Sequence, residues 1–280
     1  MPAKKFSFEF FPPRTGEAES RLCDTWTRLA VLRPDFFSVT YGAGGGTREK
    51  TLETAQAIQK GTGIEGVPHI SCTGAERAEL QAMLERYRAA GVRHVVALRG
   101  DLPSGSMGRG SLQHANELVE LIRSSTGDWF QIEVACYPEF HPQAKSATAD
   151  LANFKRKVDA GANSALTQYF YNPDAYFRFL DSCAGLGIAI PIVPGVMPII
   201  NSTQLIRFSD ACGADIPRWI LKRLQEFGDD ARSIRAFGID VTSALCERLL
   251  SGGAPGLHLY TMNRYDAAEH IWRNLGLQHH

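Results

Sequence analysis

Ala89-Ala90-Gly91-Val92-Arg93-His94-Val95-Val96-Ala97-Leu98, AAGVRHVVAL, closes a helical segment on a glycine and opens an apolar strand three residues later. The same junction returns as DAGANSALTQ at 159–168 and GGAPGLHLYT at 252–261. Working outward from it, short apolar runs ending in polar or turn residues stand at 6–11, 36–41, 67–72, 94–100, 131–138, 164–170, 191–199 and 256–261. Each reads as a strand, and eight are counted. The segments between them carry helical periodicity. In the third, Thr73 and Glu76 suggest a capping box, Leu80, Met83, Leu84 and Tyr87 share a face, and Gly91 stops the helix. From Asp150 to Ala160 the scheme repeats, with Leu151, Phe154 and Val158 on one face and Gly161 as the stop.

Eight strands alternating with helices, with no break in composition and no Pro/Ser linker, predict an α/β fold. The expected form is a single (β/α)8 TIM barrel occupying residues 1–280 as one catalytic domain. The seventh strand, with Pro191, Pro194 and Pro198, fits the pattern less well. The stretch from Asn201 to Ala254, between strands 7 and 8, must hold two or three helices rather than one.

Composition narrows the function. The chain of 280 residues has 30 basic and 30 acidic side chains and 44% hydrophobic residues, which argues against a nucleic-acid surface. Six scattered cysteines without a Cys-x-x-Cys, and no apolar run of membrane length or secretory leader, predict a cytoplasmic protein in a reducing compartment. The terminal pair His279 and His280 resembles the start of a purification tag.

A barrel of this kind carries its active site at the C-terminal ends of the strands. The residues expected there are Glu9, Thr40 with Tyr41, His69, Arg99 with Asp101, Tyr137 with His141, Gln168, and Tyr260 with Arg264. Seven polar strand ends together favour a convergent site over solvated or paired groups. Glu9 lies between Phe8 and Phe10, so burial is expected to raise its pKa and suit it to general acid work; the alternative is a buried Glu paired to an Arg. On the fifth helix Asp150, Asn153 and Lys157 share a face with Arg156 beside them, a set suited to a ligand with hydroxyls and phosphates. No His-x-x-x-His or His-Glu-x-x-His spacing indicates a metal, and no Gly-x-Ser-x-Gly indicates a serine hydrolase. The glycine-rich run VTYGAGGGTREK (39–50) misses the dinucleotide fingerprint by one residue, because Thr47 stands where the third glycine belongs. It reads instead as a βα loop, with Thr47 capping the next helix.

FSFEFFPPRT, SVTYGA, VPHISC, VALRGDLP, YPEFHP, DLANFKRKVDAGAN, LTQYF, PGVMP and YTMNR, in this order, closely resemble methylenetetrahydrofolate reductases of the bacterial type over essentially the whole chain. The resemblance implies a flavin-dependent barrel that reduces 5,10-methylenetetrahydrofolate with NADH or NADPH through FAD by a ping-pong cycle, supplying methyl groups for methionine synthesis. It implies that Glu9 and Asp101 are catalytic. It places Thr40, Tyr41, Ala43, His69, Arg99, Gly100, Asp101, Ala115, Tyr137, His141, Ala144, Asp150, Asn153, Arg156 and Lys157 on FAD. Asp101, Gln168, Gln204, Phe208 and Arg264 are implied to meet the substrates. A homo-oligomer is implied too, and the short chain leaves no room for the regulatory domain of larger relatives. The sequence departs from the resembled pattern at Gly44, Gly45 and Gly46, where relatives are more polar. Rival readings are a flavin barrel acting on another substrate, such as proline, and a flavin or folate binder without turnover.

Overall fold

Alternation along the first strand sorts its side chains into two environments. Phe8 and Phe10 join Leu22, Leu29 and Phe37 in the apolar layer between sheet and helices. Ser7 and Glu9 point the other way, toward the barrel axis, where both meet His258. Neighbouring strands obey the same rule: Phe37 is helix-facing, whereas Phe36 packs inside with Val67, Val96, Leu166 and Val193. An interior lined by both apolar and ionisable side chains results.

The computed structural model describes residues 4–41, 45–100 and 110–277. In order the elements are β1 (Lys5–Phe10), α1 (Gly16–Ala30), β2 (Phe36–Val39), α2 (Gly45–Thr62), β3 (Glu65–Ser71), α3 (Arg77–Ala89), β4 (His94–Leu98) and α4 (Ala115–Thr126). There follow β5 (Gln131–Cys136), α5 (Ala147–Asp159), β6 (Ser164–Thr167), α6 (Pro173–Gly185), β7 (Ile192–Val193) and β8 (Gly195–Val196). The chain then runs through α7 (Ser202–Cys212), α8 (Arg218–Phe227) and α9 (Ala231–Ser251) to β9 (Gly256–Tyr260) and α10 (Asp266–Asn274). All strand pairs are parallel, in the order β7-β6-β5-β4-β3-β2-β1-β9-β8. The sheet ends are the two adjacent segments β7 and β8, so the run 192–196 closes the barrel.

The expected seventh strand is therefore two short ones. Pro194 has no N–H for the ladder and interrupts it, while its carbonyl still accepts from His258 N at 3.0 Å. β7 pairs with β6, and β8 pairs with β9. The three helices α7, α8 and α9 occupy the long connection, and their apolar faces cluster with Tyr169, Tyr171, Met197 and Ile199 beside the C-terminal rim.

Local chemistry explains most boundaries. Thr15, Ser146, Asn172 and Asn201 cap α1, α5, α6 and α7 by accepting from backbone N–H groups. Two expected caps are corrected. α3 starts one residue after Glu76, whose capping box is with Glu79; Thr73 instead donates to the Arg99 carbonyl at 2.7 Å. α2 begins at Gly45, so Thr47 is two residues inside the helix rather than its cap. Gly91 and Gly161 have φ of 77° and 111°, conformations that favour glycine where helix turns to strand. Among the described residues no helix is long and apolar enough to cross a membrane.

Candidate active site

The strand ends converge on two cavities that share Leu98, Ala135 and Tyr137, and so form one continuous, two-part site. The deeper part, about 480 Å³, lies over the barrel mouth. Its walls are apolar at Val96, Leu98 and Leu166, while Glu9, Thr40, Tyr41, His69, Gln168 and Tyr260 bring polar groups to it. Phe208, Ala211 and Cys212 enter from α7 at helical spacing, which makes the extra helices part of the binding wall.

Glu9 sits at the closed end. Its Oε2 lies 3.4 Å from Nε2 of both His69 and His258. Only the His258 contact has hydrogen-bond alignment; that of His69 is an ion-pair distance without it. Burial would raise the Glu9 pKa, but hydrogen bonding and the positive charge of the two imidazoles outweigh it and hold the carboxyl at about 2. The expected upward shift is thus overturned. The expected alternative, an arginine partner, is not what balances the charge either; two histidines do. His258 is fixed from behind by Ser7, whose Oγ lies 2.7 Å from Nδ1. Beside them Tyr260 donates to the Thr167 carbonyl across the barrel at 2.7 Å. Gln168 is oriented by its side-chain oxygen, which accepts from the Tyr169 N–H at 2.9 Å.

The second part, about 280 Å³, runs between the ends of β4 and β5 and the helices that follow them. It is lined by Arg99, Gly100, Ala115, Tyr137, His141, Ala144, Asp150, Asn153 and Lys157. Ala115 is the first residue of α4, so a helix N-terminus faces the cavity. Asp150 accepts from the His141 N–H at 2.9 Å and ties the loop to α5, and Tyr137 meets the His141 ring edge-on at 4.8 Å. Lys157 donates to the Ala135 carbonyl, and no carboxylate of a described residue lies within 4.0 Å of it. Burial depresses its pKa. The Lys157 ammonium, with one carbonyl as its acceptor and Asp150 as a nearby negative charge, has donors left for an anion, and with the α4 N-terminus, Arg99 and Asn153 it fits a pyrophosphate and ribose. The apolar walls of the deeper part fit a flat ring system. The residues present therefore fit a ligand that carries a pyrophosphate, a ribose and a flat ring.

Three expected residues lie elsewhere. Arg156 turns to the groove between α4 and α5 and bonds Asn153 Oδ1 at 2.9 Å. Gln204 is one turn before Phe208 on α7 and lines neither cavity. Arg264 is exposed and paired with Asp266 at 3.3 Å, outside both. Ala43 and Asp101, with His279 and His280, fall outside the described residues. Sequence reasoning missed Ser7, His258, Tyr169 and Met197. The signal for the first two was available: each stands two residues before an expected site residue on its strand, Glu9 and Tyr260, and so shares its face. Among the described residues no group of three His, Cys, Asp or Glu side chains is placed to hold a metal ion.

Comparison with known proteins bears on the family and the fold. Residues 2–276 match the family model for methylenetetrahydrofolate reductase. A 5,10-methylenetetrahydrofolate reductase of Escherichia coli is 43% identical over 272 residues, covering 97% of this chain and 90% of that one. An Arabidopsis thaliana protein, methylenetetrahydrofolate reductase (NADH) 1, is 39% identical over 97% of this chain and 48% of its own length. A Clostridium thermocellum protein of solved structure, described as binding two copies of 5-methyl-5,6,7,8-tetrahydrofolic acid, shares the fold with a TM-score of 0.68 at 16% identity, over 98% of this chain and 94% of that one. With a family match spanning nearly every residue and relatives above 40% identity, this chain belongs to the methylenetetrahydrofolate reductase family.

Proposed function

We propose that the protein reduces 5,10-methylenetetrahydrofolate to 5-methyltetrahydrofolate with NADH, through FAD held along the two joined cavities. The observation that carries this reading is the placement of a carboxylate, Glu9, at the closed end of a site whose other end holds the buried cation Lys157. The names of the relatives support the substrate, and that of the plant relative supports NADH. The bound flavin supplies the hydride transfer that side chains cannot perform.

The chain's own residues do the rest. Lys157, Arg99 and the N-terminus of α4 hold the pyrophosphate, and Asp150 with Asn153 meets the ribose. Val96, Leu98 and Leu166 exclude water from the deeper cavity. That cavity accommodates one planar substrate at a time, so nicotinamide and folate take turns against the same wall, where Phe208 serves both. Gln168 holds the pterin through its side-chain NH2, because its side-chain oxygen already accepts from the Tyr169 N–H. Arg264, at the rim, meets the carboxylate tail of the folate by exchanging its Asp266 partner. Asp101 is assigned to stabilise the cationic iminium of the opened folate ring, on the chemistry of its carboxylate alone.

Opening that ring needs a proton on the departing nitrogen, and Glu9 is the group that delivers it. Anaerobic titration tests the whole reading. The protein loaded with FAD is expected to bleach with NADH and regain its colour with methylenetetrahydrofolate. Bleaching without recovery would sink the folate assignment, and no bleaching would sink the nicotinamide one.

A further inference from the structure

Glu9 poses a problem that its surroundings answer. A proton donor must carry a proton when the substrate arrives, yet this carboxylate is flanked by two imidazoles that favour its ionised form. Of the two, His258 is completely buried and held at both ring nitrogens, by Ser7 Oγ at Nδ1 and Glu9 Oε2 at Nε2. His69 lines the substrate cavity and lacks aligned contact with the carboxylate.

We infer that His258 is the proton reservoir for folate reduction, a positioning residue that keeps the proton on Nε2 and lends it to Glu9 when the substrate binds. This rests on the folate reading above. In the waiting state the imidazolium of His258 faces the Glu9 carboxylate. Entry of the folate dehydrates the cavity end of Glu9 and disfavours its charge, so the Nε2 proton moves to Oε2 and leaves neutral imidazole and neutral carboxylic acid. Glu9 then protonates the substrate nitrogen as its bond to the methylene carbon breaks. Nitrogen takes the proton, the carbon becomes the iminium, and Glu9 is again a carboxylate. His258 regains a proton from solvent after product leaves. The C–N bonding pair stays on the departing nitrogen and the lone pair of the other nitrogen forms the iminium, so these steps involve no oxidation or reduction.

Ser7 gives the mechanism its direction. Its hydroxyl occupies Nδ1, so the mobile proton of the ring is the one on Nε2. The groups facing this unit are His69 on β3, Glu133 on β5 and, on the same strand as His258, Tyr260 on β9. Tyr260 stays a neutral phenol because burial and the charge of Glu9 raise its pKa. The ring of Phe36 stacks 6.1 Å from that of His258 and separates it from His94 on the other side. Among the described residues, Glu9 is the hydrogen-bond partner of His258 that lines the cavity.

The test uses the FAD-loaded enzyme and follows each half-reaction by stopped-flow absorbance from pH 6 to 9. For His258→Gln, reoxidation by folate is expected to slow by about a hundredfold and to lose the pH dependence seen in the parent, the size usual for loss of a proton-transfer group. Reduction by NADH is expected to change by less than about threefold. Ser7→Ala, a milder change, is expected to slow only the folate step, by about tenfold. Proportional loss in both half-reactions, or an unaltered folate pH profile in both variants, overturns the inference. A second readout is independent of turnover. In the wild-type protein without substrate, the 13C carboxyl signal of Glu9 and the 15N imidazole signals of His258 are expected to titrate as a linked pair, and Glu9→Gln is expected to change the imidazole titration. Independent titrations overturn the reservoir even if the enzyme reduces folate, whereas linked titrations in a protein inactive toward folate would leave the reservoir and remove the substrate.

Discussion

Glu133 Oε1 lies 3.2 Å from His94 Nε2 inside the barrel, below the active-site layer, with both side chains nearly excluded from solvent. Glu65 approaches the other ring nitrogen at 3.4 Å. Burial alone would lower the His94 pKa, but the two carboxylates reverse this and raise it from 6.5 to about 9. Glu133 is shifted down: burial opposes its charge, and His94 outweighs that. The signs set a window. A histidine raised in the folded state contributes fully below its unfolded value and loses the contribution as pH climbs through the folded one; a depressed carboxylate loses its contribution as pH falls. Stability from this pair is therefore expected to be greatest near pH 5 to 6.5 and to decline toward pH 9, by about 3 kcal/mol if the histidine shift is fully expressed. Urea midpoints measured across that range check it, and a flat profile contradicts it.

Removing one partner of the same pair should cost more than removing both. His94→Leu leaves the Glu133 carboxylate buried without its partner and is expected to destabilise by about 3–5 kcal/mol. Adding Glu133→Leu should recover a large part of the loss, since two apolar groups bring no charge into the barrel. A double variant as unstable as the sum of the single ones would show that the pair is not coupled.

How far the fold and site were legible follows from where each residue stands. The glycine-closed junction at 89–98 was legible because Gly91, Gly161 and Gly253 all take a positive φ where helix turns to strand. The break at Pro194 was less legible, since a proline can sit at a strand edge as well as interrupt one. Strand-end residues such as Glu9 and Gln168 were readable because barrel geometry forces them to converge. Arg156 and Arg264 were not, because the direction of a long exposed side chain depends on the partner it finds, Asn153 in one case and Asp266 in the other. The charge state of Glu9 was misread because its flanking phenylalanines face the helices; what surrounds the carboxylate comes from β3 and β9, distant in sequence.

Gly195 should be irreplaceable by alanine. A Cβ there would stand 2.2 Å from the Thr167 carbonyl oxygen and 2.7 Å from the Tyr260 ring, the two groups joined by the hydrogen bond across the barrel. The backbone cannot yield easily, because Gly195 N donates to Thr167 Oγ1 at 2.9 Å. Gly195→Ala is expected to destabilise by about 1–3 kcal/mol, the range for overpacking, and to displace Tyr260 from the cavity wall. Thermal unfolding gives the first quantity, and folate KM the second. Wild-type values for both would mean that this wall is more compliant than its contacts indicate.

Lys157 supplies the sharpest test of where the cofactor lies. Its ammonium is buried against the Ala135 carbonyl at the end of the smaller cavity, where burial disfavours the charge until an anion arrives. Lys157→Met keeps the length of the side chain and removes the charge, so protein lacking flavin should fold at least as stably as the parent. Flavin affinity should fall by about ten- to a hundredfold, corresponding to one charge-assisted hydrogen bond of roughly 1.5–3 kcal/mol. Riboflavin, without the pyrophosphate, should bind both proteins alike. Quenching of flavin fluorescence in a titration of apoprotein measures all three. An unchanged FAD affinity would move the pyrophosphate away from α5, and with it the assignment of Asp150 and Asn153 to the ribose.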